Sequence, residues 1–217
     1  ARGNLGTSFY QRKPVGQLLW AKIPVTFTLA TAGLVLALVI GIFGGVFAAL
    51  RHTSWFDTGV MLGSTFGLSV PSFWLGLMLI FTFSVGLRWF PSGGYVSPTE
   101  DFLEALHRLF LPAFSIGVIQ AALIARMTRS SMLEVLWKDY IRTARAKGLG
   151  ERVVVIRHAF RNALIPIVTT VGMVYSVLLG GAIIIETVFT IPGTGRLLIT
   201  AVSTRDYPVI QGVILFF

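Results

Sequence analysis

The sequence is poor in three things that soluble proteins usually carry: cysteine, acidic residues and charge in general. None of its 217 residues is cysteine, which excludes a disulfide framework and a cysteine-ligated metal site. Only 12% of the residues are charged, about half of the fraction typical of a soluble domain, and nine acids face 18 lysines and arginines. So little charge hardly covers a water-exposed surface, and we therefore expect a membrane protein.

Sequence motifs typical of enzymes are absent as well. The sequence has no GxxxxGKS or GxxxxGKT loop for a nucleotide phosphate and no HExxH pair for zinc. Its three histidines, His52, His107 and His158, lie in separate loops without ligands at metal spacing. No Ser-His-Asp arrangement is indicated. We therefore predict no catalytic residues, no metal site and no cofactor bound by this chain.

Long apolar stretches are what the sequence has instead. Four are close to membrane-spanning length or longer and a fifth is short, and they cover residues 23–50, 58–87, 109–125, 163–185 and 207–217. A helix needs about 20 apolar residues to cross the hydrocarbon core of a bilayer. The first two stretches exceed that length and the third falls short of it. This pattern predicts an all-α, multi-pass integral membrane protein.

The distribution of lysine and arginine predicts the orientation of the spans. Residues 126–161 carry nine of the 18 cations against three acids, which assigns this segment to the cytoplasm. Alternation then places residues 51–57 inside, and 1–22, 88–108 and 186–206 outside. The net charge of +9 is thus explained by membrane topology rather than by nucleic-acid binding.

The N-terminal segment, residues 1–22, is unusual for an external segment. It carries four cations, Arg2, Arg12, Lys13 and Lys22, and no acid. We expect a further transmembrane helix before residue 1, which accounts for this composition, and a last helix that is interrupted after residue 217.

Two glycine pairs, Gly41 with Gly45 and Gly63 with Gly67, have the spacing that lets helix backbones approach closely in lipid. Packing within the subunit is the favoured interpretation, and dimerisation through these faces is the alternative.

Polar residues within the spans are few. Pro71 is expected to bend the second span, with Ser69 and Ser72 beside it. Gln120 is the most polar residue of the third span, and Glu186 ends the fourth, at a position that we expect water to reach. These four residues, Ser69, Ser72, Gln120 and Glu186, are the candidates for lining a substrate pathway, although local packing explains each of them as well. No charged residue lies in the middle of any span, which argues against an ion-driven carrier.

The short basic segment 139–150 reads DYIRTARAKGLG and lies in the predicted cytoplasmic region. We expect a helix capped by Asp139 and closed by Gly148 or Gly150 in the left-handed conformation. Tyr140, Ala144 and Gly148 share one face of such a helix. A surface helix on anionic lipid or a simple topology signal explains the charge, whereas docking into a groove of another protein explains the small residues as well.

At this segment the sequence resembles a known family. The stretch YIRTARAKGL, followed by RHAFRNALIPIVTTVG, is similar to the cytoplasmic loop of permease subunits of type I ABC importers, in the subgroup for dipeptides, oligopeptides, nickel and glutathione. The stretches GNLGTSF, SVPSFWLGL and ETVFTIPGTGRLL resemble other signatures of the subgroup. Arg142 stands where the general family has glutamate, and Pro166 comes 18 residues after Gly148 instead of 13, as is typical of this subgroup.

The resemblance implies a fold and a set of partners. Residues 1–22 would be an external segment, 23–217 a type I ABC importer transmembrane domain with a core helix bundle, and 139–150 its cytoplasmic coupling helix. The subunit would pair with a homologous permease in the bacterial plasma (inner) membrane, with two cytoplasmic ATPases that bind ATP and Mg²⁺, and with an external substrate-binding protein. The residues implied in ATPase coupling are Tyr140, Arg142, Thr143, Ala144, Arg145, Lys147, Gly148 and Leu149.

Two other classes of protein remain as alternatives: an ion-driven secondary transporter or channel subunit, and a membrane scaffold without transport. Co-purification of ATPases would distinguish the importer from both. The substrate, whether dipeptide, longer peptide, glutathione or nickel, does not follow from the sequence.

Overall fold

A computed structural model describes residues 5–216 of the chain. Arg2 and the first residues of the GNLGTSF segment lie outside the described residues. Along the described part, nine α-helices follow one another: α1 (Val15–Leu50), α2 (Trp55–Ser69), α3 (Ser72–Leu79), α4 (Phe102–Leu136), α5 (Asp139–Ala146), α6 (Glu151–Val153), α7 (Arg161–Val188), α8 (Thr194–Ser203) and α9 (Tyr207–Phe216). Helices α3 and α6 each continue into a π-helical stretch, Ile80–Gly86 and Val154–Phe160.

Within residues 5–216, three helical segments are long and apolar enough to cross a membrane: α1, α4 and the continuous run Glu151–Val188. The pair formed by α2 and α3 with its π-helical stretch makes a fourth if it counts as one broken span. The structure therefore confirms the all-α membrane architecture. The three long helical segments extend beyond the apolar stretches predicted for them, because polar residues at the ends of those stretches are also helical. Helix α1 begins at Val15, eight residues before the predicted start of the first apolar stretch.

The second predicted span, residues 58–87, is not one helix. Helix α2 ends at Ser69, Val70 is extended (φ −88°, ψ 124°), and α3 begins at Ser72. Proline disfavours the helical conformation of the residue before it, which explains the extended Val70. The sequence predicts a bend at Pro71, and the structure has a complete break there instead.

The chain divides into two compact units. The first comprises residues 5–33, 71–116 and 176–216 of the described chain. One of its cores is formed where the start of α1 packs against α8 and α9, and its buried residues are Val15, Leu18, Leu19, Leu197, Ala201, Val209 and Val213. Helix α8 contributes one apolar face to this core, so it is an amphipathic helix that lies against its neighbours.

The second unit comprises residues 34–70 and 117–175. Helices α1 and α4 approach closely here, because a Cβ atom on Gly45 would lie 2.6 Å from the carbonyl oxygen of Ala125, and one on Gly41 would lie 2.7 Å from Cβ of Ile124. Packing within the subunit is therefore confirmed for this pair. Gly63 has open space around it, and Gly67 has only an ordinary contact, so the second pair makes no such approach within the unit.

Candidate functional site

Helix α5 is held to the second unit by one apolar face. Ile141 is fully buried and Ala144 is only 7% exposed. Both belong to a core cluster of buried residues that also contains Ala49, Met132, Val154, Val155, Ala159, Ala163 and Ile167. The expectation that Ala144 offers a free small-residue surface to another protein is therefore wrong. A spacing of three residues places Ile141 and Ala144 on the same face of the helix. Because Ile141 is buried in the core, Ala144 on the same face is buried too.

The opposite face of α5 is open to solvent. Most of the residues predicted to couple to an ATPase lie on this face or just after it and are exposed: Tyr140, Arg142, Thr143, Arg145, Lys147, Gly148 and Leu149. A groove of about 380 Å³ runs beside the helix, lined by Tyr140, Thr143, Ala144, Lys147, Leu149 and His158. The helix thus combines a buried apolar face with a cationic, partly aromatic outer face.

The ends of α5 agree in part with the sequence. Gly148 has φ +77°, the left-handed conformation expected after the helix. Its amide donates to the carbonyl oxygen of Arg145 at 2.9 Å. The capping role predicted for Asp139 is wrong, since Lys138 is the N-cap residue and makes no side-chain hydrogen bond there. Asp139 is instead the first helical residue, where its charge still complements the helix dipole.

Ion pairs surround α5 at the surface. The Arg145 guanidinium donates to the Glu151 carboxylate at 2.6 Å, and Arg142 lies 3.5 Å from Asp139. The hydrogen bond to Glu151 raises the pKa of Arg145, against the smaller opposing effect of burial. Within residues 5–216, Lys147 has no carboxylate within ion-pair distance. Two of the helix's cations are thus partnered locally, and Lys147 remains open to an external acidic group.

A second polar site lies in the first unit, at the end of α7. The Glu186 side chain is fully buried. Its carboxylate accepts a hydrogen bond from the Thr26 hydroxyl at 2.6 Å and from the Arg196 amide at 3.0 Å. The Thr26 hydroxyl in turn accepts from the Thr194 amide at 2.9 Å. One carboxylate therefore joins α1 and α7 to the N-terminus of α8, where free amide groups and the helix dipole favour a negative charge.

This geometry overturns the expectation that water reaches Glu186. Helix α8 folds back over the end of α7 and covers the carboxylate. Gly193 and Gly195 make this possible, because a Cβ on Gly193 would overlap the Glu186 carboxylate and one on Gly195 would overlap the backbone of Ile183. The turn sequence PGTGR is thus required by the close packing of α8 against the end of α7.

The other candidate pathway residues have less distinctive surroundings. Ser69 is exposed and its hydroxyl donates to the Thr65 carbonyl oxygen, 3.1 Å away, in its own helix. Ser72 is the first residue of α3, and both it and Gln120 are partly buried. Ser72 belongs to the first unit, and Ser69 and Gln120 belong to the second. Their role in a pathway stays a prediction.

Two polar anchors were not recognised in the sequence. In the first unit, buried Asp206 accepts hydrogen bonds from the Ser8 hydroxyl and the Phe9 amide. In the second unit, buried Asp57 forms a two-bond ion pair with Arg129, one bond at 2.7 Å. The sequence offered one indication of these anchors, which is the small number of acidic residues. With only nine acids in 217 residues, few are without a specific role.

The helical membrane architecture, with a short amphipathic helix between two long helices, defines the class of the protein, and comparison with known proteins defines the family. Residues 41–217 match the family described as the binding-protein-dependent transport system inner membrane component, and the chain belongs to this family.

Individual relatives agree with this assignment. The chain is 49% identical over 213 residues to a Brucella abortus (strain 2308) protein provisionally named a peptide transport system permease, a match that covers 98% of this chain and 68% of the relative. It is 46% identical over 235 residues to a di/tripeptide transport system permease protein of Pseudomonas aeruginosa (strain UCBPP-PA14), covering 99% and 70%. A crystal structure of an amino acid ABC transporter has the same fold, with a TM-score of 0.60 at 19% identity over 93% of this chain and 87% of that one.

These findings confirm the function class expected from the sequence. The chain is a permease subunit of an ABC importer and a multi-pass protein of the bacterial inner membrane. As such it is a transport component that works with partner subunits. The alternatives of an ion-driven carrier or channel are not favoured.

Proposed function

We propose that the subunit forms a pathway for peptides or similar small solutes together with a second, homologous permease. Two cytoplasmic ATPases would bind ATP and Mg²⁺ and drive the cycle, and an external binding protein would deliver the substrate. The peptide and dipeptide permease names of the relatives support the substrate class. The absence of a phosphate-binding loop in this sequence supports placing ATP on a partner.

The proposed coupling element is the segment at residues 139–150, which contains α5. The residues that face an ATPase differ from those expected from the sequence. Tyr140, Arg142, Thr143, Lys147 and Leu149 form the contact surface for an ATPase. Ala144 lies on the buried face of α5 and holds the helix to the core. Arg145 is tied to Glu151, and Gly148 supplies the turn that follows. The observation that carries this proposal is that α5 buries one apolar face and leaves a cationic face, with a groove beside it, unoccupied within the chain.

Ser69, Ser72 and Gln120 remain proposed pathway residues. For Glu186, the buried contacts support a positioning role, in which its carboxylate fixes α8 at the predicted outer face. Glu186 would then influence the shape of a pathway through the position of α8, and its side chain would not line the pathway.

The Thr143→Trp substitution tests the docking surface. Thr143 is exposed and its hydroxyl bonds only to the Asp139 carbonyl oxygen of its own helix among the contacts described, so the fold should tolerate the change. An indole at the groove should clash with a docked ATPase and reduce its co-purification about tenfold, as loss of a strong interface contact does. Stimulation of ATP hydrolysis by the loaded binding protein should fall with it.

Thr204→Trp is the matched control. Thr204 is also exposed and also bonds to a carbonyl oxygen four residues back, at 2.9 Å, but it lies after α8 on the predicted outer side. It should leave ATPase co-purification unchanged when this is measured without the binding protein. Equal co-purification of the ATPase with both variants and the unmodified protein would refute the docking assignment.

A further inference from the structure

The surface formed by residues 5–22 and 186–206 has an unusual division of charge. We refer to it as the basic surface. Its two acids, Glu186 and Asp206, are 0% and 2% exposed and bind groups of the same unit. Its five described cations are exposed or half-buried: Arg12, Lys13, Lys22, Arg196 and Arg205. The exposed part of this surface therefore carries positive charge without a compensating acid of its own.

A rigid turn presents part of this charge. The amides of Phe9 and Tyr10 and the hydroxyl of Ser8 all donate to the Asp206 carboxylate. Backbone hydrogen bonds from the Ser8 amide to the Lys13 carbonyl oxygen and from the Arg12 amide to the Ser8 carbonyl oxygen close the turn. As a result Phe9 and Tyr10 project outward, 69% and 68% exposed, beside Arg12 and Lys13. Aromatic side chains and arginine are enriched in protein interfaces.

A concavity adjoins the turn. It has a volume of about 210 Å³ and is lined by Gln11, Lys22, Pro192, Gly193, Arg196, Leu197 and Thr200. The Arg196 side chain is fixed by a hydrogen bond to the Thr190 carbonyl oxygen at 2.7 Å. Two cations and two neutral polar groups around a concavity of this size suit a carboxylate side chain of a partner.

The length of α1 places the turn at residues 8–14 beyond the lipid headgroups. No charged residue lies between Lys22 and Arg51, a stretch of about 42 Å of helix that already exceeds the roughly 30 Å hydrocarbon core. The turn ends at Pro14, eight residues before Lys22, which corresponds to about 12 Å more of helix. The headgroup layer on each side is only about 5–8 Å thick. An anionic lipid is therefore a poorer fit for the turn than a soluble acidic partner.

We propose that the basic surface is the docking surface for an acidic face of the external substrate-binding protein, with Phe9 and Tyr10 as its apolar contacts and the Lys22–Arg196 concavity receiving a carboxylate side chain. This inference rests on the proposed function and on the predicted external position of residues 1–22. It gives a role to the exposed cations of residues 5–22, whose presence the expected additional helix accounts for only as a matter of topology.

The test uses the assembled transporter, reconstituted in nanodiscs of neutral phosphatidylcholine, and its fluorescently labelled cognate binding protein. The Arg12→Glu/Lys13→Glu variant should bind the labelled protein about tenfold more weakly at low ionic strength, because like charges now face each other. The difference should shrink as salt is added. The control is Arg88→Glu, because Arg88 is exposed and has φ 55°, close to the 53° of Arg12, but lies in the other predicted external loop. It should change the Kd by less than about twofold.

Two outcomes would contradict the proposal. Equal Kd values for the Arg12→Glu/Lys13→Glu variant and the unmodified transporter overturn it. If the variant also loses co-purifying anionic phospholipid, the surface is assigned to lipid. An unmodified transporter with bound ATPases that binds no external protein would overturn the proposed function, and the docking surface with it. A Phe9→Ala variant, which alters no charge, should weaken binding without changing its salt dependence.

Discussion

Helices α5 and α8 are similar in size, eight and ten residues, yet the chain holds them in different ways. The N-terminus of α8 is bound by a buried carboxylate, and Gly193 just before the helix and Gly195 within it permit a contact with α7 that no other residue could make. The N-terminus of α5 has no side-chain cap. Helix α5 is fixed by the apolar contacts of Ile141 and Ala144, and its ion pairs are exposed.

This difference in attachment indicates which of the two helices is suited to move. A buried hydrogen-bonded carboxylate is directional and costs much free energy when it is broken, so α8 has one position. Apolar contacts are non-directional, and exposed ion pairs exchange readily with water, so no directional buried hydrogen bond from a side chain fixes the orientation of α5. The second kind of attachment suits the ATPase coupling that we propose for α5, and the first suits the docking surface that we propose beside α8.

The largest expected effect is that of Glu186→Ala. Removal of the carboxylate leaves the Thr26 hydroxyl and the α8 amides buried without their acceptor, which should lower the free energy of unfolding by about 3–5 kcal/mol. Thermal unfolding of the detergent-solubilised protein would measure it.

A glutamate-to-alanine substitution next to α5, at Glu151, should have a much smaller effect on stability. Glu151 is exposed, so Glu151→Ala should cost less than about 1 kcal/mol. Similar losses of stability in the two variants would contradict the distinction between a fixed α8 and a loosely held α5.

Much of the helical framework was predictable, because it follows from local composition. Apolar stretches located the long helices, Pro71 located the break in the second, and the four-residue spacing of Gly41 and Gly45 indicated the close contact that the structure confirms. Such features depend on neighbours in sequence. The basic helix and its glycine end at Gly148 were recognisable for the same reason.

The role of Glu186 was not predictable from its surroundings in sequence. Its partner Thr26 lies 160 residues away, so nothing near Glu186 indicates that it is covered. A glutamate after a run of isoleucines is typical of a helix end in water, and this pattern misled the prediction. For Ala144 the difficulty was different, because a small residue fits either a docking surface or a core, and only the positions of Met132, Val155 and Ala159 decide between them.

An effect of intermediate size is expected when the pH is lowered, because Asp206 contributes to stability in its ionised form. Burial alone would raise the pKa of Asp206, but the hydrogen bonds from the Ser8 hydroxyl and the Phe9 and Tyr10 amides outweigh it and lower the pKa below 3.8. The lowered pKa means that the folded protein favours the ionised form. The resulting stability is present above pH 3.8 and is lost as the pH falls through the lowered pKa.

The experiment compares unfolding of the solubilised protein with that of Asp206→Asn at neutral pH and at successively lower pH. The unmodified protein should be the more stable at neutral pH, and its advantage should shrink below pH 3.8. A constant difference across the range would show that the Asp206 hydrogen bonds do not depend on its charge.

The smallest effect is expected at the ion pair between Arg145 and Glu151. The two side chains are 43% and 59% exposed, so water and salt screen their attraction. A double-mutant cycle of Arg145→Gln and Glu151→Gln, followed by thermal unfolding, should give a coupling free energy below about 1 kcal/mol that falls further at high salt. A coupling above about 2 kcal/mol, insensitive to salt, would mean that α5 is held rigidly by this pair. Helix α5 would then resemble α8, and a coupling motion would have to carry the helix and Glu151 together.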